Sequence, residues 1–411
     1  MIFCFQRRIT SSWLSTLLIE VLQASIIFTV AFIVTFLMVP VSKKIATLIG
    51  AVDYPSDRRL NASPIPRCGG IALYFGIVAA CFALWIGVQF FNWEFSFVKE
   101  LEDINLVVLS IGITVMFLVG LADDITQLSP LMKFGGQILA AIIVVFAGVS
   151  IEVIRSPFSD GFLTLSWFNY PLTILYLVLF VNTTNLIDGL DGLAAGIVTI
   201  VAGGLLFLIL MRGDFIFALA CIALIAVCLA FLRFNFSPAS IFMGDSGSLL
   251  LGLMIGVISI SGVVRTQSVI IMLVPLVMAG VPLLDTLSAI VRRTRGKQPV
   301  QQADMGHIHH RLLRAGLSQR RSVLVLYACT FTLALAGCLL GMMTSVLWEW
   351  VLIVVLSLVL FIVIWRFGLF DPVLKHYYDN KGGRGPRKPR EDSLESDAAD
   401  QGSENTQESE G

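Results

Sequence analysis

Carboxylates are scarce in this sequence, yet they recur in short polar stretches set directly against apolar runs. Asp123 and Asp124 stand in GLADDITQLSP, and Asn185, Asp188 and Asp191 in NTTNLIDGLDGLAAG; Asp245 lies in IFMGDSGSLLLG and Asp285 in VPLLDTLSAI. An ionisable residue at a membrane segment is costly, which makes each a functional hypothesis by default. Clustered carboxylates facing water suit a hard cation, because Mg²⁺ takes one or two of them and completes its shell with substrate phosphates and water. Arg and Lys in adjoining loops would supply the other half of such a site, since both hold phosphate oxygens. The pattern is that of metal-assisted phosphate chemistry. The alternative for any single Asp is a helix cap, and Asp191 and Asp245, each closely followed by Gly and an apolar run, are open to that reading.

A second polar stretch, QQADMGHIHHRLLRAGL, holds His307, His309, His310 and Arg311. Zinc sites of this kind need further Cys or His ligands, and Cys68 alone lies on the same side of the membrane, so zinc is disfavoured. A solvated loop and a loop that contacts a phosphate or sugar both remain open, and ligand contact is preferred.

The elements that must position these residues follow from composition. Of 411 residues 57% are hydrophobic and 14% charged, with a mean hydropathy of +0.87, far outside the range of soluble domains. Eleven continuous apolar runs are each close to the length that crosses a bilayer, near 14–39, 69–91, 104–122, 134–154, 171–186, 191–211, 213–233, 246–264, 268–290, 322–343 and 345–366. Barrel strands would alternate in polarity, so the runs predict helices, the structure that satisfies its own backbone in lipid. The expected fold class is all-α, a polytopic integral membrane protein of about eleven transmembrane helices.

Charge selects an orientation. With the N-terminus outside and the C-terminus cytoplasmic, most of the 28 Lys and Arg fall inside, among them Lys43, Lys44, Arg58, Arg59 and Arg67 in the loop 41–68 and Arg292, Arg293, Arg295 and Lys297 in the loop 291–321, as the positive-inside rule demands. Arg7 and Arg8 argue the other way. In this orientation every acidic cluster reaches the cytoplasmic face, although the acids took no part in choosing it. Residues 1–370 are expected to form the membrane domain and 371–411 a disordered tail, basic and then acidic. Zero net charge, segregated by side, gives no sign of a nucleic-acid partner. The cysteines inside apolar runs are expected to pack as small hydrophobes. A secondary transporter would also carry intramembrane carboxylates, but near the midplane between repeated halves; here the acids gather at one face, and no repeat is evident.

GLADD with the following Lys133 and Gln137, then NTTNLIDGLDGLAAG, FNFSPASIFMGDSGSLLLG, VPLLDT and DMGHIHHRL occur in the order found in the polyprenyl-phosphate N-acetylhexosamine-1-phosphate transferases. From about Val41 to Phe370 the chain resembles this group, and in particular its undecaprenyl-phosphate GlcNAc-1-phosphate transferase branch in glycosyltransferase family 4, which is related to the muramoyl-pentapeptide translocase. The resemblance implies transfer of a sugar 1-phosphate from a UDP-sugar to a polyprenyl (undecaprenyl) phosphate, releasing UMP, with Mg²⁺ as cofactor and Mn²⁺ as a substitute. HIHHRL is similar to the branch that uses UDP-N-acetylglucosamine, while relatives with similar loops use other N-acetylhexosamines. The expected setting is the bacterial inner membrane, as the first membrane step of a cell-surface polysaccharide, with the active site on the cytoplasmic face. The bilayer and a homodimeric copy are the further partners considered.

By the same resemblance Asp245 is the metal ligand, with Asp188 beside it, and Asp123 and Asp124 form the catalytic acidic pair. Asn185, Asp188, Asp191, Lys133, His307, His309, His310 and Arg311 bind the substrate. Two positions depart from the group's pattern: Gln127 stands where some members have a third Asp, and Asn61 where many have His. The expected chemistry is in-line displacement, with a covalent aspartyl-phosphate as the competing route.

Overall fold

In lipid a backbone N–H or C=O finds no water, so an apolar chain must close its hydrogen bonds within each segment. The computed structural model follows this rule over the residues it describes, 11–54, 64–93, 104–155, 162–264, 269–295, 311–313, 316–343 and 346–366. The helices are α1 (Ser11–Leu48), α2 (Gly70–Phe90), α3 (Leu106–Thr126), α4 (Pro130–Phe146), α5 (Asn169–Ile187), α6 (Leu193–Arg212), α7 (Phe215–Asn235), α8 (Gly244–Ser259), α9 (Val269–Met278), α10 (Gly280–Arg295), α11 (Gln319–Met342) and α12 (Val346–Arg366). Among the described residues eight helices are long and apolar enough to cross a membrane, so the chain is a polytopic, mostly helical membrane protein.

The all-α expectation needs one addition. Two short antiparallel hairpins lie between helices, β1 (Val52–Asp53) with β2 (Ile65–Pro66) and β3 (Val153–Arg155) with β4 (Phe162–Thr164). The run 268–290, expected as one span, is two helices that meet at Ala279. Pro275 lies inside α9 and cannot donate to the helical ladder, although the ladder resumes with Ala279 N–H donating to the Pro275 carbonyl at 2.9 Å.

α8 is the centre of the bundle. Every residue of its membrane window is buried, against α2, α3 and α5. The sequence GDSGSLLLGLMIGVIS permits this because, with little hydrophobic force between helices in lipid, close approach over small residues must supply the packing. Gly252 shows how close: a Cβ there would fall 2.7 Å from the Phe180 carbonyl oxygen and 2.7 Å from the Val181 Cα on α5. Around this core the outward side chains of α1 and α2, such as Leu18, Leu37, Phe82 and Phe90, are exposed, as lipid-facing residues should be. Cys68, Cys221 and Cys228 are buried, whereas Cys81 and Cys329 stand on exposed helix surface.

Gly252→Ala is expected to lower stability by about 1–3 kcal/mol, since backbone has to move. Gly203→Ala, where nothing lies within 4 Å of the added carbon, should not destabilise the protein. Thermal melting of both purified variants in detergent checks the contrast, and equal melting temperatures would contradict the close α5–α8 contact.

Candidate active site

Four helix ends meet at one end of the bundle, each bringing one part of the polar cluster. The last turn of α3 carries Asp123 and Asp124, the first turn of α4 carries Lys133, the last turn of α5 carries Asn185, and the first turn of α8 carries Asp245. The acidic pair was expected beyond the third span; it lies inside α3, which runs on to Thr126. A tight connection then reverses the chain. Gln127 takes a left-handed conformation with φ 52°, and Leu128 N–H donates to Asp123 Oδ1 at 2.8 Å. Ser129 caps α4 by accepting from Met132 N–H, with Pro130 at the helix start. Gln127, the departure from the acidic motif, is thus an exposed turn residue.

The short connection delivers Lys133 to the carboxylates. Its Nζ lies 3.0 Å from Asp123 Oδ2, 2.5 Å from Asp245 Oδ2 and 3.4 Å from Asn185 Oδ1. Asn185 completes the set by donating through Nδ2 to Asp245 Oδ1 at 2.5 Å and to Ser248 Oγ at 2.9 Å. One turn deeper, Gln137 of α4 and Asn182 of α5 exchange side-chain hydrogen bonds of 2.7 and 3.4 Å, which fixes the two helices against each other below Lys133.

The two adjacent carboxylates do different things. Asp123 is on the Lys133 side, whereas Asp124 is 4% exposed and turned to the start of α8. Its Oδ1 accepts from Asp245 N–H at 2.8 Å, and its Oδ2 accepts from Ser246 N–H at 3.0 Å and Ser246 Oγ at 2.6 Å. A carboxylate from a neighbouring helix therefore caps α8, where free N–H groups and the positive end of the helix dipole favour an anion. Asp245 does not cap its own helix. Gly244 makes the approach feasible at φ +71°, because a Cβ would lie 2.5 and 2.6 Å from the Asp124 carboxylate oxygens.

Beyond α5 the chain turns through Asp188, Gly189, Leu190 and Asp191 into α6. That helix begins at Leu193, after a left-handed Gly192 with no side-chain cap, rather than at Asp191 as expected. Asp191 Oδ2 instead accepts from Ala239 N–H at 3.0 Å and holds the connection between α7 and α8. Asn235, buried at the end of α7, accepts from Gly192 N–H and donates to the Ile241 carbonyl, tying the same two segments together. Tyr327 of α11 donates to the Gly192 carbonyl at 2.6 Å.

Asp188 is left in a different state. Among the described residues its carboxylate has no hydrogen-bond or ion-pair partner. Burial, followed by the charges of Asp245 and Asp124, pushes it well above the usual carboxylate range, with Arg67 acting in the opposite sense. Among the described residues no three His, Cys, Asp or Glu side chains form a ready-made metal cage. The donor set is instead hard and sparse, Asp188 with the neighbouring Asp245, and it fits Mg²⁺, which relies on one or two carboxylates and on substrate phosphates.

His307, His309 and His310, together with Asn61 and the tail 371–411, lie outside the described residues. Arg311 is half-buried in the helical turn 311–313. Asp285 is 2% exposed on α10, the helix that packs against α5. Sequence reasoning gave no role to Ser246, Ser248 or Asn235. A buried Asn at the end of an apolar helix is itself a signal, whereas the serines look like small packing residues.

Asp124→Asn is expected to cost about 1–3 kcal/mol of stability, because an amide offers one acceptor oxygen where three donors converge. Ser246→Ala removes one of those donors and should cost about 1 kcal/mol. Thermal melting of the purified protein checks both, and an Asp124→Asn protein that melts like the parent would contradict the capping geometry.

Residues 106–263 match the family described as Glycosyl transferase family 4. The chain is 39% identical over 315 residues, covering 76% of this chain and 84% of the relative, to the probable undecaprenyl-phosphate N-acetylglucosaminyl 1-phosphate transferase of Bacillus subtilis. It is 37% identical over 318 residues, 72% of this chain and 77% of the relative, to the decaprenyl-phosphate N-acetylglucosaminephosphotransferase of Mycolicibacterium smegmatis. With the undecaprenyl-phosphate alpha-N-acetylglucosaminyl 1-phosphate transferase of Escherichia coli K12 it shares 28% identity over 338 residues, 80% of this chain and 87% of that one. The match spans α3 to α8, the segment that carries Asp123, Lys133, Asn185 and Asp245, and the chain belongs to Glycosyl transferase family 4.

Proposed function

We propose that this protein transfers N-acetylglucosamine 1-phosphate from UDP-GlcNAc to undecaprenyl phosphate and releases UMP. The observation that carries the reading is the junction of four helix ends on Lys133, Asp123, Asn185 and Asp245, with the unpartnered Asp188 beside it. The names of the relatives support the sugar and the polyprenyl acceptor. The finer topology proposed is eleven spans with the N-terminus outside, the C-terminus inside and the site at the cytoplasmic face. The distribution of Lys and Arg supports it.

In this reaction an acceptor phosphate oxygen attacks the sugar-bearing phosphorus of the donor. The bond from that phosphorus to the bridging oxygen breaks, and UMP leaves with the electron pair. A phosphate monoester has its second pKa near 6, so the acceptor is largely ionised at neutral pH. Proton removal is a minor demand. The larger one is to bring two anions together, and the chain's own cation for this is Lys133, which can exchange a carboxylate contact for a phosphoryl oxygen. Asp123, which shares that ammonium with Asp245, would orient the acceptor and take its residual proton. Asp245 and Asp188 would hold Mg²⁺, which when bound neutralises diphosphate charge and polarises the reacting phosphorus. Asn185 keeps Asp245 in position, and Asp124 fixes the helix end on which Asp245 stands.

Membranes or detergent-purified protein incubated with labelled UDP-GlcNAc, undecaprenyl phosphate and Mg²⁺ should release UMP as label enters the lipid fraction. EDTA should abolish transfer, and Mg²⁺ or Mn²⁺ should restore it. A folded, Asp245-intact protein that transfers no sugar phosphate would defeat the reading. Lys133→Met should lower kcat by about 10²–10³-fold, the cost typical of losing one charge-stabilising donor. Inversion at the transferred phosphorus is the expected stereochemistry, and retention would exclude single displacement.

A further inference from the structure

Among the described residues few cations contact the carboxylates at the end of the bundle that holds the site. Asp123, Asp124, Asp188, Asp191 and Asp245 converge there, and among the described residues Lys133 is the one cation hydrogen-bonded to any of them. A reaction between two phosphate-bearing substrates needs more donors than one ammonium can supply. The loop between α1 and α2 brings a second cation close. Its segment Pro66–Gly70 pairs by backbone with the residues just before Asp245: Phe242 N–H donates to the Pro66 carbonyl at 2.8 Å, Gly69 N–H to the Phe242 carbonyl at 3.0 Å, and Gly70 N–H to the Met243 carbonyl at 3.0 Å. This ladder sets Arg67 against the start of α8 so closely that a Cβ on Gly244 would lie 2.6 Å from the Arg67 carbonyl oxygen, and as close to the Asp124 carboxylate.

The Arg67 side chain is not used up by the fold. Its ion pair with Asp53 is long, at 3.9 Å, and the side chain is 28% exposed. Among the described residues the guanidinium makes no hydrogen bond, so its N–H donors are open to a ligand. A guanidinium whose backbone is held at the start of α8 and whose side chain is tethered loosely by one carboxylate is suited to bidentate grip on phosphoryl oxygens.

The geometry points to Arg67 as a phosphate-binding residue of the active site, its guanidinium gripping phosphoryl oxygens of the donor diphosphate or of the acceptor monophosphate. The assignment rests on the phosphotransferase reading and adds a residue to it.

The test uses the full-length protein in detergent or nanodiscs with Arg67→Gln and Arg67→Lys. Affinities for UDP, UMP and undecaprenyl phosphate are measured by direct binding, together with kcat and the KM of each substrate, and melting temperature is followed in parallel. Arg67→Gln is expected to weaken one of the phosphate ligands about tenfold or more, and Arg67→Lys to recover part of that loss, because charge returns without the bidentate fork. Weaker UDP with unchanged UMP places the grip on the second phosphate of the donor, and weaker undecaprenyl phosphate with unchanged UDP places it on the acceptor. Parent-like affinities and KM values in both variants would overturn the assignment, as would a lowered melting temperature with unchanged affinities, which is the mark of a purely structural residue. If Arg67→Gln does not fold, Arg67→Lys decides by the same comparison. Direct binding keeps this result separate from the wider reading, since a parent protein that binds UDP but never transfers sugar phosphate would defeat the transferase while leaving the Arg67 comparison intact.

Discussion

The Lys133 ammonium between Asp123 and Asp245 is the contact on which the site depends. It joins α4 to α3 across a turn of three residues and to α8 across 112 positions of sequence. All three side chains are less than one-fifth exposed, so each charge has given up much of its hydration, and any one left alone would be expensive to keep. Two carboxylates without the ammonium would repel, and the ammonium without them would be an isolated charge at a membrane edge. The triad is therefore stable as a set, because each charge is compensated by the others.

Such a set requires helix ends held to within tenths of an ångström, and the packing around α8 supplies that. Small residues let α5 approach until backbone touches backbone at Gly252, and Asp124 ties the first turn of α8 to α3. The backbone ladder between Pro66–Gly70 and Phe242–Met243 adds the first loop to the same corner. Asp191 and Asn235 fasten the connection that leads into α8. The start of α8 is thus restrained from several directions, and Asp245 inherits that rigidity. Most hydrogen bonds of the cluster serve position.

The sequence was most legible where one physical rule dominated. Continuous apolar runs located the helices well, because lipid allows few alternatives, and α2, α6 and α7 fall within a few residues of the expected bounds. It was less legible at helix ends. Asp123 and Asp124 looked like residues beyond a span because charges usually leave the membrane, yet α3 keeps them in its last turn, where Lys133 and the α8 N-terminus compensate them. Asp191 and Asp245, assigned to the substrate and metal site, were also open to a reading as caps of the helices that follow them. The caps proved to come from elsewhere, or to be absent, since a helix N-terminus accepts any suitably placed oxygen and local sequence cannot reveal one that arrives from another helix. The break at Ala279 was hidden because Pro275 sits inside a run that remains apolar on both sides.

By itself the sequence determined the class of protein, the approximate helices, the polar residue types and, through ordered motifs, the family, because composition and periodicity report directly on the solvent each segment must satisfy. Tertiary structure alone decided how the acids divide their work. Asp123 goes to Lys133, Asp124 to the α8 backbone, Asp191 to Ala239 and Asp188 to no partner among the described residues. It also decided that the backbone around Arg67 packs against the start of α8. The physical reason is that hydrogen bonds and charge pairing act over a few ångströms in space, between residues that can lie more than a hundred positions apart in the chain.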